Sequence, residues 1–153
     1  ITGQKRARGF AQRLKKIAPG LKVVASLPGD WDRMKAANIT NDILTRHPDL
    51  KAIFAANDGM ALGAVESAYA AGKGQDILIV GVDGNSDAVK SIKSGRLNAS
   101  VAQLPYLVGK RSVIGATASL NGLKMEKFQF VDTLVLTKDI IEKNQHPLMQ
   151  FVR

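Results

Sequence analysis

The spacing of apolar residues alternates between a helical period and short unbroken runs, and this alternation constrains the fold more than any other feature of the chain. The helical spacing predicts helices near 6–17, 30–46, 59–71, 86–94 and 106–120, with a last helix starting near Lys138. The short apolar runs predict strands at 21–26, 52–55, 77–80, 98–102 and 131–136. Strands that alternate with helices this regularly indicate an α/β fold with a doubly wound parallel sheet.

Two aspartates lie where predicted helices begin. Asp30 is expected to cap the helix that runs to Arg46, and Asp58 is expected to cap the helix at 59–71. In each case a side-chain oxygen would accept a hydrogen bond from a backbone N–H of the first helical turn. We assign Asp58 no further role.

The charge of the chain requires a nucleic-acid partner to be considered. The sequence has 153 residues, the length of one domain, and 22 Lys and Arg against 13 Asp and Glu give a formal net charge of +9. The basic residues are dispersed, however, and aromatic residues make up only 5%, too few for a surface on which bases stack. We therefore expect a solvated basic surface and no nucleic-acid partner.

Five side chains of a type suited to sugars fall at or near the ends of predicted strands. Arg, Asn, Asp and Gln present paired donors or acceptors that match adjacent hydroxyls, and Trp presents a flat apolar face to C–H groups. Ligands of open α/β sheets bind outside the carboxyl ends of the strands. The spacing therefore predicts that one rim of the sheet holds a small polyhydroxylated ligand. The expected site residues are Arg6, Trp31, Asn57, Asp83 and Gln103.

Each of these five residues also has an ordinary structural explanation. Asn57 can cap a helix, Asp83 can belong to a turn with the glycine that follows it, and Gln103 can simply end a strand. Arg6 can be one more solvated base, and Trp31 can be a core residue. The prediction of a site depends on their convergence on one rim.

Patterns typical of catalysis are missing from the sequence. His47 and His146 each precede a proline, and no Ser–His–Asp pattern, nucleophile elbow, dinucleotide-binding glycine motif or P-loop is present. There is no cysteine, and His or grouped carboxylates at metal-ligand spacing are lacking. We expect no enzymatic activity, no cofactor and no bound metal.

Two motifs are specific when they occur together: Ala-Asn-Asp-Gly-Met-Ala-Leu-Gly at 56–63 and Ala-Gln-Leu-Pro at 102–105. With the stretches 6–10, 27–33 and 80–84 they resemble the C-terminal half of periplasmic sugar-binding proteins of the ribose- and allose-binding type. The resemblance covers residues 4–137. It implies a protein of two α/β lobes that closes on a monosaccharide or sugar alcohol and delivers it to the membrane permease of an ABC importer. The implied location is the periplasm, or the outside of the cell on a membrane-tethered lipoprotein.

The resemblance also implies roles for the five residues. Arg6, Asn57 and Asp83 match positions that hydrogen-bond sugar hydroxyls, and Gln103 matches a sugar contact next to the hinge. Trp31 matches an aromatic residue that packs on the sugar ring. Ribose binders carry Phe at the position of Trp31 whereas allose binders carry Trp, so a hexose or pyranose is expected.

This sequence lacks parts that the resemblance implies. The N-terminal lobe is absent, as are a helix and a central strand that precede Arg6 in the family. In the family's sheet this strand lies between the strands predicted at 21–26 and 52–55. Because the chain also opens on Ile1 rather than Met, we expect a fragment of a longer protein.

Three segments are expected from this comparison. Residues 4–105 would be the C-terminal sugar-binding lobe, and 130–153 a return strand and C-terminal tail. Residues 106–125 would form a helix that packs on the missing N-terminal lobe and that is exposed without it. The apolar residues expected to be exposed are Leu107, Val108, Val113 and Ile114.

Two other functions share this fold class. The ligand-sensing core of a LacI-type transcription repressor has the same two-lobed architecture, and an upstream helix-turn-helix would distinguish it from a transport protein. A freestanding response-regulator-like domain has a similar topology. It would require a cluster of acids at the end of its first strand, which this sequence does not have.

Overall fold

The structure is a computed structural model that describes residues 2–152. Helices and strands alternate along most of the chain, and a 3₁₀ helix at Pro147–Phe151 follows them. In chain order the elements are α1 (Thr2–Ile17), α2 (Arg33–Arg46), β1 (Ala52–Phe54), α3 (Asp58–Ala70), β2 (Leu78–Asp83), α4 (Ser86–Lys93), β3 (Ala99–Ala102), α5 (Pro105–Leu120), β4 (Leu134–Leu136) and α6 (Lys138–Lys143).

The sheet has four strands in the order β1-β2-β3-β4. β1 pairs with β2 and β2 with β3 in parallel, with Phe54 opposite Val80 and Asp83 opposite Ala102. β4 pairs with β3 in the antiparallel direction. The α/β class is confirmed and the sheet is mixed, because β1, β2 and β3 are parallel as predicted whereas β4 is antiparallel. Antiparallel neighbours place the start of β4 beside the end of β3, so the connection through α5 leaves and returns at the same edge of the sheet.

The core lies between the sheet and a layer of helices. α3 packs against β2 and against α2, while α4 contacts α3 and α6. Small residues allow these close approaches: a Cβ added at Gly63 would lie 2.1 Å from the carbonyl oxygen of Arg33. The largest side chains that are fully buried in this core are Ile79, Ile92, Leu97, Leu104, Leu136 and Val65.

The strand predicted at 21–26 does not form. These residues have no regular secondary structure, and Leu21 and Val23 are 60% and 55% exposed. A strand is stable only when its backbone groups pair with a neighbour. Within residues 2–152, β1 is the outermost strand on that side of the sheet and pairs only with β2. Residues 21–26 do not pair with the open edge of β1 and therefore have no ladder partner.

Two predicted caps are also wrong. The helix after residue 30 begins at Arg33, and Asp32 rather than Asp30 caps it by accepting from the backbone N–H of Lys35 at 2.6 Å. Asn57 rather than Asp58 caps α3, because Asn57 Oδ1 accepts from the backbone N–H of Met60 at 2.9 Å. Asp58 becomes the first residue of α3 and is completely buried.

Two helices remain outside the core. α1 has no buried residue, and it contacts the sheet through Phe10, whose ring stacks on Phe54 with centroids 4.5 Å apart. α5 has no buried residue either, and Val113 and Ile114 are 67% and 56% exposed. Of the four apolar residues predicted to be exposed there, only Leu107 is partly buried. In the described part of the chain, every helix is too short or too polar to cross a membrane.

Candidate functional site

Four of the five predicted site residues are joined by direct contacts at the carboxyl rim of the sheet. The Arg6 guanidinium donates through Nη1 to the carbonyl of Ala56 at 2.6 Å and to Asp83 Oδ1 at 3.2 Å. Gln103 Nε2 donates to the same Asp83 oxygen at 2.6 Å. The guanidinium also lies 5.7 Å from the centroid of the Trp31 ring. The predicted convergence on one rim therefore holds for these four side chains.

Asp83 is at the centre of this group. It is the last residue of β2, and its carbonyl accepts from the backbone N–H of Gln103 at 3.0 Å, while its side chain is one-third exposed. Both donors to its carboxylate meet Oδ1, and within residues 2–152 Oδ2 has no hydrogen-bond donor. The carboxylate thus has one oxygen oriented by the protein and one oxygen available as an acceptor.

The backbone at Asp83 is unusual. Its φ is +130°, and that of Gly84 is +76°. A residue other than glycine with a positive φ is strained, and such residues persist where their surroundings hold them, often at ligand sites. Asp30 and Trp31 also have positive φ values, +50° and +65°. The chain is therefore strained at two places on the rim, and both carry a predicted site residue or its neighbour.

Trp31 is held at the rim by the turn before α2. Its indole is half exposed and lies close to the first turn of α1, where a Cβ added at Gly3 would be 3.3 Å from Trp31 Cζ2. Together with the Arg6 contact, this places a flat apolar surface next to the charged group formed by Arg6 and Asp83.

Asn57 is placed differently from the other four residues. Its backbone follows Ala56, whose carbonyl Arg6 binds, so the residue lies next to the rim. Its side-chain oxygen is already used to cap α3, which leaves the Nδ2 group as the part that can meet a ligand. A ligand contact by Asn57 stays a prediction.

The sequence analysis missed Asp58 as a residue of this region. Its Oδ2 accepts from the backbone N–H groups of Gly84 and Asn85 at 2.7 and 2.9 Å, and Ser100 Oγ donates to its Oδ1 at 2.6 Å. Burial raises the pKa of the Asp58 carboxyl. The hydrogen bonds from Ser100, Asn85 and Gly84 oppose that rise, and the nearby charge of Asp83 adds to it. One signal was available: only one residue of an Asn-Asp pair can cap a helix, so the other needs a separate explanation.

The donor set of the rim suits hydroxyl groups better than a metal ion. The Arg6 guanidinium would repel a cation, and Arg6 Nη1 and Gln103 Nε2 already occupy one oxygen of Asp83. In the part of the chain that the structure describes, no group of three or more His, Cys, Asp or Glu residues lies together.

With this geometry in view, comparison with known proteins identifies the family. The family profile of the periplasmic binding protein domain matches residues 2–124. The chain belongs to the periplasmic binding protein family. The resemblance noted in the sequence is thereby confirmed.

Curated relatives in this family include sugar-binding proteins. The ribose import binding protein of Escherichia coli strain K12 is 41% identical over 135 residues, which are 88% of this chain and 45% of that protein. The D-allose-binding periplasmic protein of the same strain is 37% identical over 143 residues, covering 90% of this chain and 46% of that protein. The chain thus spans about half the length of the curated relatives it matches.

Solved structures of periplasmic binding proteins have the same fold. An ABC transporter solute-binding protein from Actinobacillus succinogenes 130z with bound D-allose has a TM-score of 0.81 and 34% identity, covering 90% of this chain and 48% of that one. A solute-binding protein from Agrobacterium vitis bound to α-D-tagatopyranose has a TM-score of 0.87 and 30% identity, covering 99% and 50%. The α/β fold of this chain is therefore that of about half of such a protein.

Proposed function

We propose that this chain forms one wall of a binding site for a monosaccharide or sugar alcohol, as the C-terminal lobe of an ABC importer solute-binding protein. The observation that carries the proposal is the contact of Arg6, Asp83, Gln103 and Trp31 on one rim. The names of the relatives point the same way, because they describe ribose, allose and tagatose binders.

Each side chain would have a distinct part in holding the sugar. Asp83 Oδ2 would accept a hydrogen bond from a sugar hydroxyl, while Arg6 and Gln103 keep Oδ1 in place and offer their remaining N–H groups. Trp31 would lie against the C–H face of the ring. The resemblance to allose binders, which carry Trp at this position, favours a hexose or pyranose. Asn57 Nδ2 would donate to a further hydroxyl from the start of α3.

We further propose that a second lobe completes the site. α5 and residues 121–130 have no buried residue, and Val113, Ile114, Leu123, Phe128 and Phe130 are exposed large hydrophobic side chains. A surface of this kind is typical of a protein interface. Residues 4–105 would then be the sugar-binding lobe, 106–125 would pack on the second lobe, and 130–153 would return to the sheet.

The proposed role is binding and delivery rather than catalysis. A permease of an ABC importer would receive the sugar, and the protein would work in the periplasm or tethered outside the cell. The relatives named above are import and periplasmic binding proteins. The alternative function, the sensing core of a LacI-type repressor, stays a prediction, and an upstream helix-turn-helix in the reading frame would favour it.

A titration of the complete polypeptide of the reading frame tests the proposed site. Calorimetry with D-allose, D-ribose and myo-inositol should show binding of at least one sugar. Asp83→Ala should weaken that binding more than about tenfold, because the hydroxyl loses a charged acceptor. Asp87→Ala is the matched control, since Asp87 is an exposed acid on α4 that pairs only with Lys90 within the described residues. Wild-type affinity in Asp83→Ala, or no binding of any sugar, would contradict the proposal.

A further inference from the structure

We propose that Asp58, buried behind the rim, is a positioning residue that fixes the direction of the Asp83 carboxylate and so controls sugar affinity without touching the sugar. The inference rests on the proposed function, because Asp83 is the carboxylate assigned to the sugar hydroxyls. Asp58 is 0% exposed and does not cap α3, so neither ligand contact nor capping explains an acid at this position.

The hydrogen bonds of Asp58 connect three elements. Asp58 is the first residue of α3, and its Oδ2 accepts from two consecutive backbone N–H groups in the turn between β2 and α4. Its Oδ1 accepts from Ser100 Oγ on β3, and that hydroxyl in turn accepts from the N–H of Gly84 at 3.1 Å. The Asp58 carboxylate therefore links the turn after β2 to α3 and to β3.

The turn that Asp58 holds is the one that orients Asp83. The peptide group between Asp83 and Gly84 is planar. Hydrogen bonds that hold its N–H and its C=O therefore fix the ψ rotation of Asp83, and with it the position of the Asp83 side chain relative to the turn. Asp58 binds the N–H end of this peptide at 2.7 Å, and the backbone N–H of Gln103 binds the C=O end at 3.0 Å. Both ends are therefore held, which is what the strained φ of Asp83 requires.

The glycines of the 80–84 motif fit this arrangement. A Cβ at Gly81 would lie 2.3 Å from Asp58 Oδ1, so only glycine leaves room for the carboxylate behind β2. A Cβ at Gly84 would lie 2.5 Å from the Cβ of Ala102, and the φ of Gly84 is +76°. Gly81 thus leaves room for the buried Asp58, and Gly84 forms the turn that follows the exposed Asp83.

The test uses the complete polypeptide of the reading frame and two independent readouts. The first is sugar affinity by calorimetry. The second is the NMR signal of the Gln103 side-chain amide, whose Nε2 donates to Asp83 Oδ1 and so reports where the carboxylate lies. Asp58→Asn keeps the size of the side chain but leaves one acceptor oxygen where the wild type has two. That oxygen cannot accept from both the turn N–H groups and the Ser100 hydroxyl as the carboxylate does. We expect about tenfold weaker binding and a shifted Gln103 signal.

Ser67→Ala is the matched control. Ser67 is also a buried polar residue of α3, but its Oγ donates to the carbonyl of Ala37 on α2, away from the rim. We expect Ser67→Ala to lower stability while affinity and the Gln103 signal stay at their wild-type values. If Asp58 had a merely structural role, Asp58→Asn would behave like Ser67→Ala: stability would fall while sugar affinity and the Gln103 signal stayed at their wild-type values.

The outcomes separate this inference from the proposed function. Wild-type affinity and an unshifted Gln103 signal in folded Asp58→Asn would overturn the positioning role. If the wild-type polypeptide binds no sugar, the proposed function fails, while the Gln103 signal still decides whether Asp58 positions Asp83. Asp58→Ala, which removes every contact, should shift that signal further than Asp58→Asn if it folds.

Discussion

α3 and α5 are helices of similar composition that differ completely in burial. Both are rich in Ala, Val, Leu and Gly, yet α3 buries nine of its residues and α5 buries none. The difference lies in what surrounds each helix: α2 and β2 cover α3, whereas no element of residues 2–152 covers α5 in the same way. The same substitution should therefore have different consequences in the two helices, and the predictions below use this contrast.

The largest effect is expected from removing the buried acid of α3. Asp58→Ala leaves the Asn85 N–H and the Ser100 hydroxyl without their acceptor, and each such buried group costs about 1–3 kcal/mol. The Gly84 N–H loses one of its two acceptors and keeps Ser100 Oγ. We expect the free energy of unfolding of the chain to fall by at least about 2 kcal/mol in urea denaturation. The matched change in α5 is Ser112→Ala, which removes an exposed hydroxyl bonded to Val108 and should stay within about 0.5 kcal/mol. Similar losses in both variants would contradict the contrast.

The next effect comes from adding one methyl group to a glycine of each helix. In Gly63→Ala the new Cβ would lie 2.1 Å from the carbonyl oxygen of Arg33, so α2 and α3 must move apart, at a cost of about 1–3 kcal/mol. In Gly109→Ala the Cβ meets nothing within 4 Å, and replacing glycine inside a helix should stabilise the chain by about 0.5–1 kcal/mol. Thermal unfolding of both variants checks the two signs. Destabilisation by Gly109→Ala would show that α5 is covered.

The sequence predicted the elements of the packed region because their patterns are local. The apolar runs at 77–80 and 98–102 became β2 and β3 within a few residues, and the helices at 59–71 and 86–94 are present. Residues 21–26 have an equally good strand pattern, but a strand also needs a partner, which the local pattern does not reveal. The antiparallel direction of β4 was missed for the same reason, since an apolar run is the same for parallel and antiparallel pairing.

The residues of the candidate site likewise divide into those that the sequence pattern predicts and one that it does not. Arg6, Trp31, Asp83 and Gln103 were predicted together because the ends of parallel strands meet at one rim, and their side chains are indeed in contact there. Asp58 was missed because its partners are the N–H groups of Gly84 and Asn85 and the hydroxyl of Ser100, which are distant in sequence. No local pattern identifies such partners.

A smaller effect is expected from pH at the buried acid. Burial raises the pKa of Asp58 above the ordinary value of 3.8, so the folded chain keeps this proton at pH values where the unfolded chain has lost it. The resulting stability is fully present below pH 3.8 and is lost as the pH rises through the folded pKa. Asp58→Asn cannot titrate. The stability advantage of wild type over Asp58→Asn, measured in urea, should therefore shrink from acidic to neutral pH.

An advantage that stays constant or grows over this range would contradict the raised pKa. Ser67→Ala, which changes another buried polar residue of α3 and removes no titratable group, serves as the control and should show no comparable trend.

The smallest effect in this chain is expected on the exposed side of α5. Val113 and Ile114 are 67% and 56% exposed, so replacing both with Ser removes little buried apolar surface and should change the free energy of unfolding by no more than about 0.5 kcal/mol. The corresponding double change in α3, Ala64→Ser with Val65→Ser, places hydroxyls among fully packed neighbours and should be far more damaging. If the complete polypeptide of the reading frame places a second lobe on α5, the Val113 and Ile114 changes should become destabilising there while staying neutral in the 153-residue chain. Because the substituted side chains are the same in both proteins, neutrality in both would show that no lobe packs on them.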